Sequence, residues 1–544
     1  LRIKSNIPVI LMGETGCGKT SLIKMLSLII HKGEDKLKIM NINEGTIDQD
    51  IINFIKKCEN EIKHDEKMWI FFDEINTCES LGLLSEIILK QTVFGKKLKK
   101  NFVFIGSCNP YRKITEKMKE SGLILLEEKD KKFFLNKNNL VYKVNPLPSC
   151  LINYIFNFGS LSSDEEKKYA SSIIQFYFNK IEKFDKHSQK IKIYDLILIS
   201  TEKLTEEKKI IVDILIFSNK YMKNIYDNSS ISLRDIKRFT IFYDWFLKYL
   251  INESPHSDTY RSNSDILLKD CLKLTIYLCY YLRISNPLYR QDFSKKIGYE
   301  LENNFLEVPL REEKYITEQF ILDNDKGIVL NQMLRENLLT LFICINNREP
   351  LIIIGKPGSG KTLSVNCVAN SMKGEFSDSE FLQRRNGLLI YRYQGTKNTS
   401  SKSITRAFKI VRSSIDIFKK NNEGIKLIPI FFFDEMGFAQ RSDNLNNPLK
   451  VLHTELEYEY NVNKHDKIVF VGISNWQLDS AKMNRALYLL ISDPDENELL
   501  ETAKNIGYLM NRGIFLKYIK LFIALVKAYS EYKKLDLNKE FGKE

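Results

Sequence analysis

Two glycine-rich stretches, each ending in Gly-Lys-Thr, constrain this chain more than anything else in it. They are GETGCGKT at residues 13–20 and GKPGSGKT at residues 355–362. Such a loop needs an apolar strand before it and a helix after it, because its backbone N–H groups must converge at a helix N-terminus to hold an anion. IPVILM and LIII supply the strands, and SLIKMLSLII and LSVNCVANS continue as the helices. Each loop is followed by a hydrophobic run closed by Asp-Glu: WIFFDE at 69–74 and PIFFFDE at 429–435. The aspartates lie 54 residues (19 to 73) and 73 residues (361 to 434) beyond the loop lysines. The loop lysines are 342 residues apart (19 to 361), far longer than any solenoid repeat, so the units are duplicated domains.

The residue types assign the chemistry. Gly13, Glu14, Thr15, Gly16, Cys17, Gly18, Lys19 and Thr20 are expected to wrap one triphosphate. Gly355, Lys356, Pro357, Gly358, Ser359, Gly360, Lys361 and Thr362 are expected to wrap a second. Lys19 and Lys361 reach the β- and γ-phosphates, and the hydroxyls of Thr20 and Thr362 go to Mg²⁺, with Asp73 and Asp434 completing the metal shell. Glu74 and Glu435, one residue on, are placed to polarise an attacking water. Asn109 in IGSCNPYR and Asn475 in VGISNW stand at the tip of the next strand, 36 (73 to 109) and 41 (434 to 475) residues past the aspartates. They are candidates to position that water, although Asn before Pro, as at Asn109, also reads as a turn residue. The ligands implied are ATP and Mg²⁺.

The pattern around these motifs predicts an α/β fold of tandem modules, each a doubly wound parallel sheet with a helical lid. Expected strands are 7–12, 37–42, 68–72, 101–107 and 140–144 in the first core, with a helix at 20–30 and a hairpin at 93–100 turning on Gly95. In the second core they are 351–354, 388–393, 427–433, 468–473 and 487–491. From Pro148 to about Asn252 strands are expected to vanish and apolar residues to recur at helical spacing. ESPHSDTYRSNS, at 253–264, reads as a connecting loop, and DNDKG, at 323–327, as a turn. The domains are therefore a first core at 1–148, its lid at 149–252, a helical linker and lead-in helix at 253–346, and a second core at 347–492. The start of a second, truncated lid follows at 493–544. A chain opening on Leu1 without Met is expected to be a piece of something larger.

Composition narrows the partners. A net charge of +13 reflects 82 basic against 69 acidic residues. The lysines are scattered, so the charge reads as solvated helix faces rather than a nucleic-acid surface. The densest cluster is KKLKK at 96–100, in the expected hairpin. Nine cysteines without a CxxC pair and six histidines without a cluster give no zinc site. Free thiols suit a reducing compartment, here the cytoplasm. Cys17, at a helix start, reads either as a thiol of lowered pKa or as a small residue that fits. No apolar run reaches the roughly 20 residues a membrane helix needs; GIFLKYIKLFIALVKAY at 513–529 is interrupted by Lys517, Lys520 and Lys527 and reads as amphipathic.

Together the paired motifs resemble the AAA+ ATPases. DEINT, LLSEIIL, a hairpin and FVFIGSCNP look like the branch that holds the MoxR chaperones, midasin and dynein. That resemblance places Arg234, in SLRDIKR, where a lid arginine touches the γ-phosphate; Arg234 and Arg238 also read as surface charges on a lid helix. A more specific resemblance is to the mysterin-type giant AAA+ ubiquitin ligases. It rests on GETGCGKT, CNPYR, VYKVNPLP and FNFGSL in the first module. In the second it rests on DEMGFA, NPLKVLHTELE and GISNWQLDSAKMNRAL. It implies two consecutive modules of a six-module motor core, with neighbouring modules of the same longer chain as partners and each ATP site facing the next module. Arg485, in KMNRAL, is then the candidate to complete the first module's site, and Arg112 is its analogue in the first module. Ubiquitin chemistry and protein substrates would fall to regions outside this sequence. A dynein- or midasin-like remodelling motor, and a scaffold that binds ATP without cycling, remain the alternatives.

Overall fold

The computed structural model describes residues 2–3, 5–32, 36–43, 45–62, 67–98, 101–112, 144–159, 161–185, 190–193, 197–226, 228–301, 304–320, 328–421, 427–440, 448–461, 467–476, 478, 483–491, 494 and 496–541. The expected strand at 140–144 lies almost wholly outside these residues, as do the expected turn at 323–327 and the last two lysines of KKLKK.

The first core alternates β1 (Val9–Gly13), α1 (Lys19–Ile30), β2 (Leu37–Asn41), α2 (Asp48–Glu61), β3 (Met68–Asp73), α3 (Leu81–Lys90) and β6 (Phe102–Cys108). The hairpin β4 (Thr92–Val93) and β5 (Lys96–Lys97) precedes β6, and β7 (Ile155–Gly159) follows it. The strands form one sheet of order β2-β3-β6-β1-β7, and its pairings are parallel. β3 and β6 are buried along their whole length, which is why they read as unbroken apolar runs.

β7 corrects the expectation that strands vanish after Pro148. It pairs with β1 at the sheet edge, and of its five residues only Ile155 and Phe158 are half-buried. An edge strand with one neighbour and little burial leaves a weak apolar signal. A second correction is the antiparallel sheet of β8 (Glu182–Asp185), β9 (Lys190–Ile193) and β10 (Ile197–Ile199). It lies between α4 (Ser163–Ile181) and α5 (Thr201–Ile225).

Helices α6 (Leu233–Asn252), α7 (Ser257–Ser262), α8 (Ser264–Cys279), α9 (Pro287–Glu300), α10 (Glu307–Thr317) and α11 (Gln332–Asn347) follow. Their starts are written locally. Ser162 and Ser232 cap α4 and α6 through Ser-x-x-acid boxes, Asn263 and Asn331 cap α8 and α11, and Asn286-Pro287 opens α9. α7 interrupts the stretch expected to be a loop, because buried Tyr260 anchors it and donates its hydroxyl to Asp270 (3.1 Å).

The second core repeats the first: β11 (Leu351–Ile354), α12 (Lys361–Ser371), β12 (Gly387–Gln394), α13 (Ser401–Asn421), β13 (Leu427–Asp434), α14 (Val451–Asn461), β14 (Val469–Ser474) and β15 (Leu487–Leu490). Its parallel sheet has the equivalent order, β12-β13-β14-β11-β15. The last element, α15 (Glu496–Phe541), is a single 46-residue helix. Among the described residues no helix is long and apolar enough to cross a membrane.

The cores divide unexpectedly. The first sheet has its own two apolar clusters, one on each face. A third cluster is continuous from Ala170 in α4, through α5 to α11, to Leu490 in β15. The lid of the first module is thus built into the body of the second core. Burial of apolar area is the dominant stabilising term, so the seam between the two bodies falls at the first module's loop.

Candidate functional site

The end of β1 and the start of α1 hold Lys19 over the loop. Its ammonium donates to Gly13 O (2.6 Å), Glu14 O (2.9 Å) and Asn109 Oδ1 (3.3 Å). Thr20 Oγ1 donates to Asp73 Oδ2 (2.7 Å), Ser107 Oγ donates to Asp73 Oδ1, and the Glu74 N–H donates to Ser107 Oγ (3.0 Å). Asn76 fixes the backbone of Asn109 from both sides: its amide donates to Asn109 O (2.8 Å) and its Oδ1 accepts from Asn109 N–H (3.3 Å). The hydroxyl and carboxylate of Thr20 and Asp73 form an oxygen-donor pair at the loop's mouth, which suits Mg²⁺, a hard cation that prefers oxygen ligands.

Glu74 leaves the sheet in a left-handed conformation, φ 58°, and its counterpart Glu435 does the same at φ 47°. A non-glycine residue there costs of order 1–3 kcal/mol. The same turn recurs in both modules, at the residue directly after the strand-ending aspartate.

The second body closes the cleft from two directions. Its lid helix α6 begins at Ser232, whose Cβ would lie 2.6 Å from a Cβ added to Gly16 (φ +77°). Only glycine lets the loop and the lid meet this closely. Arg234, in the first turn of α6, lines the cleft. From the second core, Arg485 Nη2 donates to Glu74 Oε1 (3.1 Å), His453 Nδ1 lies 2.8 Å from Glu74 Oε2, and Asn484 Nδ2 donates to Thr15 Oγ1 (3.3 Å). Burial pushes the Glu74 carboxyl up, but His453, Arg485 and Lys19 outweigh it and hold it well below the usual carboxylate range. The cleft has a volume of about 520 Å³, and its walls include Lys19, Asp73, Glu74, Asn109, Arg234 and Arg485.

Buried arginines tie the lid to the second core. Arg238 pairs with Asp235 (3.1 Å) and donates to Asn484 O (2.9 Å); Arg283 pairs with Asp235 (3.0 Å) and lies 3.9 Å from the centre of the Tyr488 ring. Arg238 is therefore a buried connector and not the surface charge its helix suggests. Arg112 forms an ion pair with Glu14 of its own loop (3.3 Å).

The second cleft repeats the loop geometry. Lys361 donates to Gly355 O and Lys356 O (both 2.7 Å) and to Ser359 Oγ (3.3 Å), and burial lowers its ammonium to about 8 against the pull of Asp434 and Glu435. The Glu435 N–H donates to Asp434 Oδ1 (2.9 Å), and Gln394 Nε2 donates to Glu435 Oε2 (2.8 Å). Thr362 follows Lys361 in the first turn of α12, and Asn475 directly follows Ser474, whose carbonyl accepts from Gly355 N–H (3.2 Å). The loop residues Pro357, Gly358 and Gly360 complete the turn, with φ +83° at Gly358 and +71° at Gly360.

Sequence reasoning missed Ser107, Asn76, Asn484 and His453. Ser107 and Asn76 carry a legible signal, a polar residue inside an apolar strand and an Asn directly after DEI. His453, a lone histidine in NPLKVLHTELE, carries none.

Residues 1–112 and residues 327–498 each match a family described as RNF213 AAA domain. The chain is 31% identical over 568 residues to the E3 ubiquitin-protein ligase rnf213-beta of Danio rerio, covering 100% of this chain and 11% of that protein. It is 30% identical over 547 residues to the E3 ubiquitin-protein ligase RNF213 of Homo sapiens, covering 93% of this chain and 10% of that protein. The chain thus spans about a tenth of the length of the curated relatives it matches.

Proposed function

The two α/β modules are AAA domains of the RNF213 type, and from that premise we propose that the chain hydrolyses ATP as part of the motor core of a mysterin-type ubiquitin ligase. The observation that carries this reading is the first cleft, where Lys19, Thr20, Asp73, Glu74 and Asn109 converge and Arg485 arrives from the other module.

Lys19 and the loop N–H groups of residues 13–20 grip the β- and γ-phosphates, while Thr20 and Asp73 hold Mg²⁺, which neutralises phosphate charge when bound. Asn109 orients a water on the γ-phosphorus. Glu74 takes that water's proton as its oxygen bonds to phosphorus, and the bond to the bridging oxygen breaks with its electron pair leaving on ADP. Arg234 from the lid and Arg485 from the second core meet the charge that develops on the γ-phosphoryl oxygens. Lys361, Thr362, Asp434, Glu435 and Asn475 take the same parts in the second cleft, whose next module would belong to a longer chain. Ubiquitin transfer and its protein partners are assigned to regions beyond residues 1–544, and a cytoplasmic site of action accords with nine free cysteines.

Steady-state ATPase assays test this. Glu74→Gln and Glu435→Gln should each lower turnover at their own cleft by about 10²–10⁴-fold while ATP stays bound. Unchanged rates in both variants would defeat the assignment of the two glutamates, and hydrolysis near background in the unsubstituted chain with Mg²⁺ present would favour the non-hydrolysing scaffold.

A further inference from the structure

The geometry points to a further residue for this reaction: His453, supplied by the second module, is the positioning residue that aims Glu74. The inference rests on the first cleft being hydrolytic.

The Glu74 backbone is fixed by its left-handed turn and by Ser107, but the carboxylate lies several free torsions beyond it. A general base contributes only when its acceptor oxygen is aimed at the proton it removes. His453 Nδ1 lies 2.8 Å from Glu74 Oε2, with the two side chains 9% and 12% exposed. A carboxylate only accepts, so the proton sits on Nδ1 and the imidazole donates. Glu74 Oε1 accepts from Arg485 Nη2 (3.1 Å), and Arg485 Nη1 donates in turn to the backbone carbonyl of His453 (3.4 Å). The three residues close a ring in which both carboxylate oxygens are taken.

The two donors differ in what a triphosphate does to them. The planar fork of Arg485 matches phosphate oxygens, so an arriving γ-phosphate competes for it. That exchange frees Oε1 to accept the proton of water. His453 keeps Oε2, and with it the direction in which Oε1 points. Glu74 therefore depends on the second module twice, through an exchangeable cation and through a hydrogen bond that is retained.

The test uses the 544-residue chain carrying Glu435→Gln, so that turnover reports the first cleft, with kcat, KM and the Kd of a fluorescent ATP analogue with Mg²⁺ measured together. His453→Ala should lower kcat about 10- to 100-fold with Kd changed less than about twofold. His453→Asn, whose amide can donate from near the Nδ1 position, should recover part of the loss. An unchanged or raised kcat in His453→Ala overturns the inference, as does a loss of affinity as large as the loss of turnover, since that would make the residue a structural strut. Glu74→Gln in the same background separates the two levels of the argument. If it abolishes turnover while His453→Ala does not, the cleft is hydrolytic and only the role of His453 fails; if it leaves turnover intact, both fail.

Discussion

At the scale of single residues, the first cleft is built on close approach. Gly16 and Gly18 both have positive φ, but their surroundings differ: an added Cβ at Gly16 meets Ser232, and one at Gly18 meets nothing within 4 Å. Gly18→Ala should therefore cost about 1 kcal/mol of backbone strain. Gly16→Ala should add about 1–3 kcal/mol, because overpacking must push the capped start of α6 off the loop. Urea unfolding of the two variants checks this, and equal midpoints would show that the lid does not press on the loop. The loop glycines, lysines and acidic pairs were readable in advance because their chemistry fixes their spacing along the chain. His453 was not, since nothing in its neighbours marks it and its partner lies 379 positions away.

At the scale of elements, the helices between the modules hide a titratable cluster. Glu313 of α10 is buried; its Oε1 accepts from Tyr277 OH (3.1 Å), and its Oε2 accepts from Gln332 Nε2 (2.9 Å). Burial, and then the charge of nearby Glu336, pushes its carboxyl up to about 8 from 4.5. The folded protein then keeps a proton that the unfolded chain releases. The stability this group contributes is full below pH 4.5 and is lost as pH rises through about 8. Glu313→Gln, which keeps the shape without the titration, should flatten the decline in stability over that window. Urea midpoints taken from pH 5 to pH 8.5 measure it, and parallel slopes for the two proteins would refute it. Strand signals failed at this scale where packing was thin: β3 and β13 announced themselves as apolar runs, whereas β7 is a strand only because β1 offers it a ladder.

At the scale of the whole molecule, the apolar core joins the first lid to the second module, and the first sheet stands apart. ATP is proposed to bind at the seam, so grip and release there would move one body against the other. The joint within the second body depends on Arg283, which is 1% exposed, pairs with Asp235, donates to Ser230 O (3.0 Å) and lies over Tyr488. Arg283→Ala leaves a buried carboxylate with one cation fewer and should cost about 3–5 kcal/mol. It should also split the melting of the joined body into two calorimetric transitions. A single transition at the wild-type temperature would show that the lid is not bonded to the second core in this way.

The sequence by itself determined two glycine-rich Gly-Lys-Thr loops, two acidic strand ends and the parallel α/β plan around them, because these depend on local spacing, glycine conformations and the periodicity of burial. Only the tertiary structure decided that the first lid shares a core with the second module, and that His453, Asn484 and Arg485 reach into the first cleft. Those contacts join residues hundreds of positions apart. Their energy comes from shape and charge brought together by packing, which no local pattern along the chain records.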